Sequence, residues 1–155
     1  MNMKIIVPGK LMIAGEWAVL LTGYPCIVSA VNRYVTVNLT ISNCDEISAA
    51  NLDLKKEKLN FSQAALGVVR DYLGDKKKYS YKISIDSSAF EHDGPDNRRI
   101  KLGLGSSAAV VVGLISGVIA SHGYDIEKQE TKKIVFKLAS IAHFMVQGKV
   151  GSCFD

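Results

Sequence analysis

Gly103 and Gly105 stand two residues apart in Leu102-Gly103-Leu104-Gly105, and Ser106, Ser107, Ala108 and Ala109 follow at once. Glycine carries no Cβ, so backbone amides in such a run can approach a ligand closely. Ser106, Ser107 and the small residues after them read as the first turn of a helix, whose unpaired N–H groups favour an anion. Two hydroxyls at that turn add donors to a phosphate, and either suits a magnesium ion. The chemistry this spacing fits is the binding of nucleotide phosphates. No Gly-Lys-Ser/Thr follows the glycines, so the loop is not of the Walker type. The run also matches the dinucleotide pattern G-x-G-x-x-G/A, with Asp125 at the distance of a ribose-binding acid. That reading requires a buried strand directly before Gly103, and Arg98, Arg99 and Lys101 are poor strand-core residues.

Two further segments bear on the same chemistry. Pro8-Gly9-Lys10 is followed by apolar residues and then by Ala14-Gly15-Glu16-Trp17. Gln147-Gly148-Lys149-Val150-Gly151-Ser152-Cys153-Phe154-Asp155 closes the chain. In this order the three segments resemble the GHMP kinases, over residues 4 to 155. The likeness is greatest to the phosphomevalonate kinases of that family. Trp17 stands where mevalonate kinases and galactokinases usually have His, and Lys101 lies two residues before the glycine loop. Phe136-Lys137-Leu138-Ala139 leads into Ala142-His143, and His143 lies near the place of a magnesium-binding Glu in mevalonate kinases.

The resemblance implies an α+β chain, residues 1–155 forming the N-terminal, ATP-binding domain of such a kinase, with the ribosomal-S5-like two-layer fold. It implies ATP and Mg2+, and phosphomevalonate as the acceptor in isoprenoid precursor synthesis. Lys101, Gly103, Leu104, Gly105, Ser106, Ser107 and Ala108 would hold the nucleotide, with Ser107 at the metal. Lys10 would bring a fixed positive charge to the transferred group or the acceptor. Asp155 matches the acidic residue that mevalonate kinases use on the acceptor hydroxyl. A phosphomonoester acceptor, with a second pKa of about 6, is already largely ionised at neutral pH. Asp155 therefore stands open between general base and a group that orients Lys10 or the metal.

Two departures from the family pattern matter. Such kinases run considerably longer and carry a second domain with a further glycine-rich motif. The proline often found shortly before the glycine loop is replaced by Arg99-Ile100-Lys101. A chain that stops at Asp155 is expected to be an expressed fragment or a truncated gene product, with at most a trace of activity and a tendency to self-associate. A non-catalytic nucleotide-binding remnant and a mevalonate kinase-like enzyme are the alternatives.

Length and composition set bounds. At 155 residues the chain can form one domain with a real core. Charged residues at 22% and apolar residues at 48% belong to an ordinary globular protein. The net charge of +4 is mild, and the lysine clusters at Lys55, Lys56 and Lys58, Lys76 to Lys78, and Lys132 and Lys133 read as solvated surface. No basic stripe interleaved with aromatics points to nucleic acid. Cys26, Cys44 and Cys153 lack metal-type spacing. Reduced thiols in the cytoplasm are their simplest account, and Ile5–Val7 is too short an apolar run for a signal peptide. A small-molecule substrate is the expected partner, with neither nucleic acid nor membrane, and the oligomeric state is left open.

The elements that must position these residues follow from periodicity. Leu102 to Tyr124 carries no formal charge and is long enough to span a membrane. Gly113, Gly117, Gly123 and several serines interrupt it, so it reads as a central helix buried on all sides. Val31, Val35, Val37, Leu39 and Ile41 share one face of a strand, with Arg33 as the exception. Asn60 to Leu73 has helical spacing, with Gly74 as its stop. Tyr79, Tyr81, Ile83 and Ile85 alternate as a second strand, and Glu91 to Asn97 is a polar loop. Asp125 is expected to cap a last helix reaching about Val146, with Ile134, Leu138, Ile141 and Met145 as its apolar stripe. Residues 1 to 13 read as edge strands around a Pro8-Gly9 turn.

Overall fold

The computed structural model describes residues 2–49, 55–74, 79–97 and 99–147, with the backbone alone at 55–59 and 97. Strand β1 (Asn2–Ala14) pairs antiparallel with β2 (Ile27–Ser42), and β2 pairs antiparallel with β4 (Ser80–Asp86). Strand β3 (Glu46–Ala49) lies parallel to β4, so the sheet order is β1-β2-β4-β3. Helix α1 (Lys55–Leu73) comes between β3 and β4 in the chain. After β4, a short hairpin of β5 (Glu91–Asp93) and β6 (Arg99–Lys101) leads to α2 (Ser106–Ser121) and α3 (Gln129–Gln147).

Alternation decides which face of the sheet is dry. Val35, Val37 and Leu39 of β2 and Tyr81, Ile83 and Ile85 of β4 are buried, whereas Thr40, Lys82, Ser84 and Asp86 are exposed. On the dry face α2 packs against β1 and β2 and α1 against β3, while α3 packs on α1 and α2, and the result is the expected two-layer α+β arrangement.

Helix α2 packs on β1 and β2 and on both other helices, with residues from Ala109 to Ile119 almost all buried. A Cβ on Gly113 would come within 2.8 Å of Val37 Cγ2 and 3.1 Å of Val7 Cγ2. One on Gly117 would run into Leu39 Cδ1. The two glycines, four residues apart, share a helix face and let the α2 backbone settle onto the strands. Burial thus accounts for the uncharged run. Among the described residues, no helix is long and apolar enough to cross a membrane.

Helix α1 starts at Lys55, ahead of the predicted Asn60, and ends as expected at Gly74, whose N–H donates to the Arg70 carbonyl at 2.9 Å. Arg70 grips both oxygens of Asp45, at 2.7 and 2.9 Å, and donates to the Tyr79 carbonyl at 2.9 Å. Asp45 in turn accepts from the Tyr81 N–H at 2.9 Å. This clamp holds the C-terminal end of α1 against the start of β4.

Four local expectations need correction. The predicted edge strands around Pro8-Gly9 are one 13-residue strand at the sheet edge. Its register slips, with Pro8 opposite Tyr34 and Gly9 opposite Val31, so Asn32 and Arg33 bulge out of the ladder. That bulge explains why Arg33 breaks the alternation, and its guanidinium donates to the Ala89 carbonyl at 3.0 Å. The predicted polar loop Glu91–Asn97 is half hairpin, because Phe90, 1% exposed, anchors its base in the core and β5 pairs with β6.

Asp125 caps no helix. Its carboxylate accepts from the Glu127 N–H at 3.0 Å and makes a turn, so α3 begins only at Gln129. The buried stripe of α3 is Thr131, Val135, Leu138, Ala139 and Ala142. Ile141 and Met145, predicted to be inside, are 50% and 64% exposed. Leu138 is buried as expected and Ile134 packs partly against the core, while Thr131, Ala139 and Ala142 share the inward face where α3 meets α1 and α2.

Candidate functional site

The glycine loop leads into the first turn of a buried helix as expected, and the short strand β6 precedes it where a charged loop was expected. β6 is exposed along its whole length, so no buried strand precedes Gly103 and the dinucleotide arrangement loses its required context. Leu102 donates its N–H to the Phe90 carbonyl at 2.9 Å, which ties the loop to the core through a fully buried side chain. Gly103 and Gly105 then adopt φ values of +70° and +74°, the left-handed region that suits glycine.

Gly105 is the N-cap of α2 and offers no side chain to its N–H groups. The first intrahelical bond runs from the Ala109 N–H to the Gly105 carbonyl at 3.0 Å. The amides of the first turn, over Ser106, Ser107 and Ala108, are the donors that a helix start leaves unpaired, and they carry its positive end. Ser106, Ser107 and Ala108 are half-buried, and a Cβ on Gly103 would meet nothing within 4 Å. A shallow, open cradle of backbone donors is what a phosphate chain fits.

Lys10 comes to this cradle from the other side of the chain's order. Its N–H donates to the Leu104 carbonyl at 3.1 Å, and its half-buried side chain runs beside Gly105. Lys101 lies exposed on β6, across the hairpin from Glu91. Lys10, Leu104, Gly105 and the first turn of α2 are therefore brought together. Gly148 to Asp155, which include Lys149, Ser152 and the candidate residue Asp155, lie outside the described residues. His143 is half-buried on α3 and stacks on Phe61 of α1, with ring centroids 5.0 Å apart.

Phe90 was not visible in the sequence, and Gly9, named there within Pro8-Gly9-Lys10, gains a packing role. Gly9 is buried, and a Cβ there would lie 2.8 Å from Phe90 Cζ and 3.2 Å from Leu104 Cβ. Phe90 supports both Gly9 and Leu102. Pro8-Gly9 signals a break in the strand, but nothing local to Phe90 announces its partners.

Residues 60–155 match the family model of the GHMP kinases N terminal domain. The chain is 29% identical to a phosphomevalonate kinase of Streptomyces sp. over 87% of its own length and 41% of that protein. It is 28% identical to a mevalonate kinase of Methanocaldococcus jannaschii, over 95% of its length and 48% of that protein. Among solved structures, Streptococcus pneumoniae phosphomevalonate kinase in complex with phosphomevalonate and AMPPNP superposes with a TM-score of 0.78 at 23% identity, over 99% of this chain and 45% of that one, and so shares its fold. The chain thus spans less than half the length of these relatives. With the family model matched over more than half of its residues, the chain belongs to the GHMP kinases.

Proposed function

We propose that this chain is the nucleotide-binding part of a kinase that transfers the γ-phosphoryl group of ATP to phosphomevalonate. One observation carries the reading: the Lys10 backbone N–H donates to the Leu104 carbonyl and the Lys10 side-chain stem runs beside Gly105, the N-cap of α2 that offers no side-chain cap, so a lysine accompanies a cradle of amide donors. Phosphoryl transfer asks the protein for that combination, since charge must be neutralised while the reacting oxygens are held in line. In this reading the amides from Gly103 to Ala108 hold the β- and γ-phosphates and Lys101 approaches from the rim. Lys10 balances charge on the group in transit. The open cradle and the Ser107 hydroxyl suit a magnesium ion that arrives on the phosphates, since such an ion keeps most of its ligands from water and phosphate. When bound, it would lower the charge on the leaving oxygens. Asp155 keeps the two roles the resemblance allows.

The acceptor rests on Trp17, Lys101 and His143, which resemble the phosphomevalonate branch, and on a relative named phosphomevalonate kinase. A mevalonate acceptor is the second reading, favoured by a relative of nearly equal identity named mevalonate kinase. Calorimetric titration with ATP tests the nucleotide site. Ser107→Ala should weaken Mg-ATP binding about tenfold and metal-free ATP much less, as expected for one lost metal or charge-assisted contact. Equal losses would remove Ser107 from the metal. In phosphorylation assays with both acceptors, a preference for mevalonate would overturn the acceptor assignment.

A further inference from the structure

Two dipeptides far apart in sequence, Gly9-Lys10 and Leu104-Gly105, face each other with their glycines in opposite order. A Cβ on Gly9 would collide with Phe90 and press on Leu104 Cβ at 3.2 Å. A Cβ on Gly105 would lie 2.9 Å from Lys10 Cε and 3.2 Å from Lys10 Cγ. Each glycine therefore receives the side chain of the other pair, and the 3.1 Å hydrogen bond from Lys10 N–H to the Leu104 carbonyl runs between them. The register slip between Pro8 and Gly9 brings β1 to this meeting point.

We infer that Gly105 is a positioning residue for Lys10: its missing side chain is the seat that carries the lysine stem across the N-terminus of α2. The glycine loop and the lysine strand then act as one unit, and the position of the ammonium depends on a residue in the other motif. This inference rests on the phosphate-binding reading above and adds a second duty to Gly105, which a phosphate contact alone would not demand.

Gly103 supplies an internal control. Alanine at 103 or at 105 meets similar backbone strain, at φ +70° and +74°, but only at 105 does the new methyl meet Lys10. The test measures binding of magnesium tripolyphosphate to the 155-residue chain by calorimetry. Lys10→Ala is placed in three backgrounds: unaltered, Gly103→Ala and Gly105→Ala. Lys10→Ala should weaken binding about tenfold in the first two and less than about twofold in the third, where the ammonium has already been displaced. The same loss in all three backgrounds overturns the inference while leaving the phosphate site intact.

A flat response to Lys10→Ala in the unaltered chain would instead refute the anion reading, and urea midpoints then judge the seat by itself. With Lys10 present, Gly105→Ala should lower the midpoint more than Gly103→Ala does. With Lys10→Ala the gap between the two should narrow to what the N-cap preference for glycine over alanine leaves at 105. A gap of the same size without the lysine side chain overturns the seat.

Discussion

The approach of α2 to the sheet makes one substitution change sign with position. Alanine in place of a mid-helix glycine gains about 1 kcal/mol of helix propensity where nothing opposes it. Gly67 on α1 is exposed and its added methyl meets nothing within 4 Å, so Gly67→Ala should stabilise by about 0.5–1 kcal/mol. At Gly117 the same methyl runs into Leu39 Cδ1 and comes within 3.2 Å of Leu39 Cδ2 and 3.4 Å of Ile5 Cγ1. Leu39 is 1% exposed and has no solvent to turn into. Overpacking of this kind costs about 1–3 kcal/mol. Set against the propensity gain, Gly117→Ala should be destabilised by about 1 kcal/mol, leaving the two variants roughly 2 kcal/mol apart. For a chain of this size that separates their Tm values by roughly 5 °C. Urea unfolding followed by circular dichroism, with thermal melts alongside, measures both. A Gly117→Ala variant at least as stable as the parent would mean that α2 does not rest on Leu39 as closely as described, and the role given to the glycine pair would fall.

Two further outcomes are expected. The hydrogen bond from Arg70 holds the Asp45 carboxyl below its usual value of 3.8. The folded state thus binds that proton less readily, so the pair's stabilisation is present above that value and is lost as pH falls through the lowered one. Side-chain exposures of 28% and 35% limit the gain, and Asp45→Asn should cost less than about 1 kcal/mol at pH 7. The gap in urea midpoint should close on acidification, and a gap unchanged down to acid pH would sink the account. Trp17, the sole tryptophan and 82% exposed, is one of several uncovered apolar side chains between residues 17 and 27, with Leu21, Tyr24 and Ile27. The isolated chain should self-associate, and Leu21→Ser with Ile27→Ser should reduce this in sedimentation velocity without lowering the urea midpoint. Monomeric behaviour of the parent at high concentration would contradict it.

What could be read along the chain was local and periodic. Alternation over Val35, Val37 and Leu39 marks a half-buried strand, and two glycines before serines and alanines mark a loop and a helix start. An uncharged run broken by small residues marks a core helix. Each depends on the geometry of a few consecutive residues, which the chain carries wherever it folds. The glycine loop of the candidate site was legible for the same reason, since it is one continuous stretch.

The misread parts depend on neighbours. Arg33 looked like an error in the β2 pattern because the bulge that excuses it is a property of the pairing with β1. Of the expected α3 stripe, Leu138 is buried and Ile134 partly so, whereas packing against two other helices turned Ile141 and Met145 outward and selected Thr131, Val135, Ala139 and Ala142 for the inside. Gly113 and Gly117 argued in the sequence only against a membrane span; in the fold they are the surface on which α2 meets β1 and β2. Gly9 and Gly105, almost a hundred residues apart, acquire their reciprocal contacts only when β1 reaches the start of α2. Local patterning sets which conformation a segment prefers, but which side chain a glycine must leave room for is decided by close packing between segments that meet only in the folded chain.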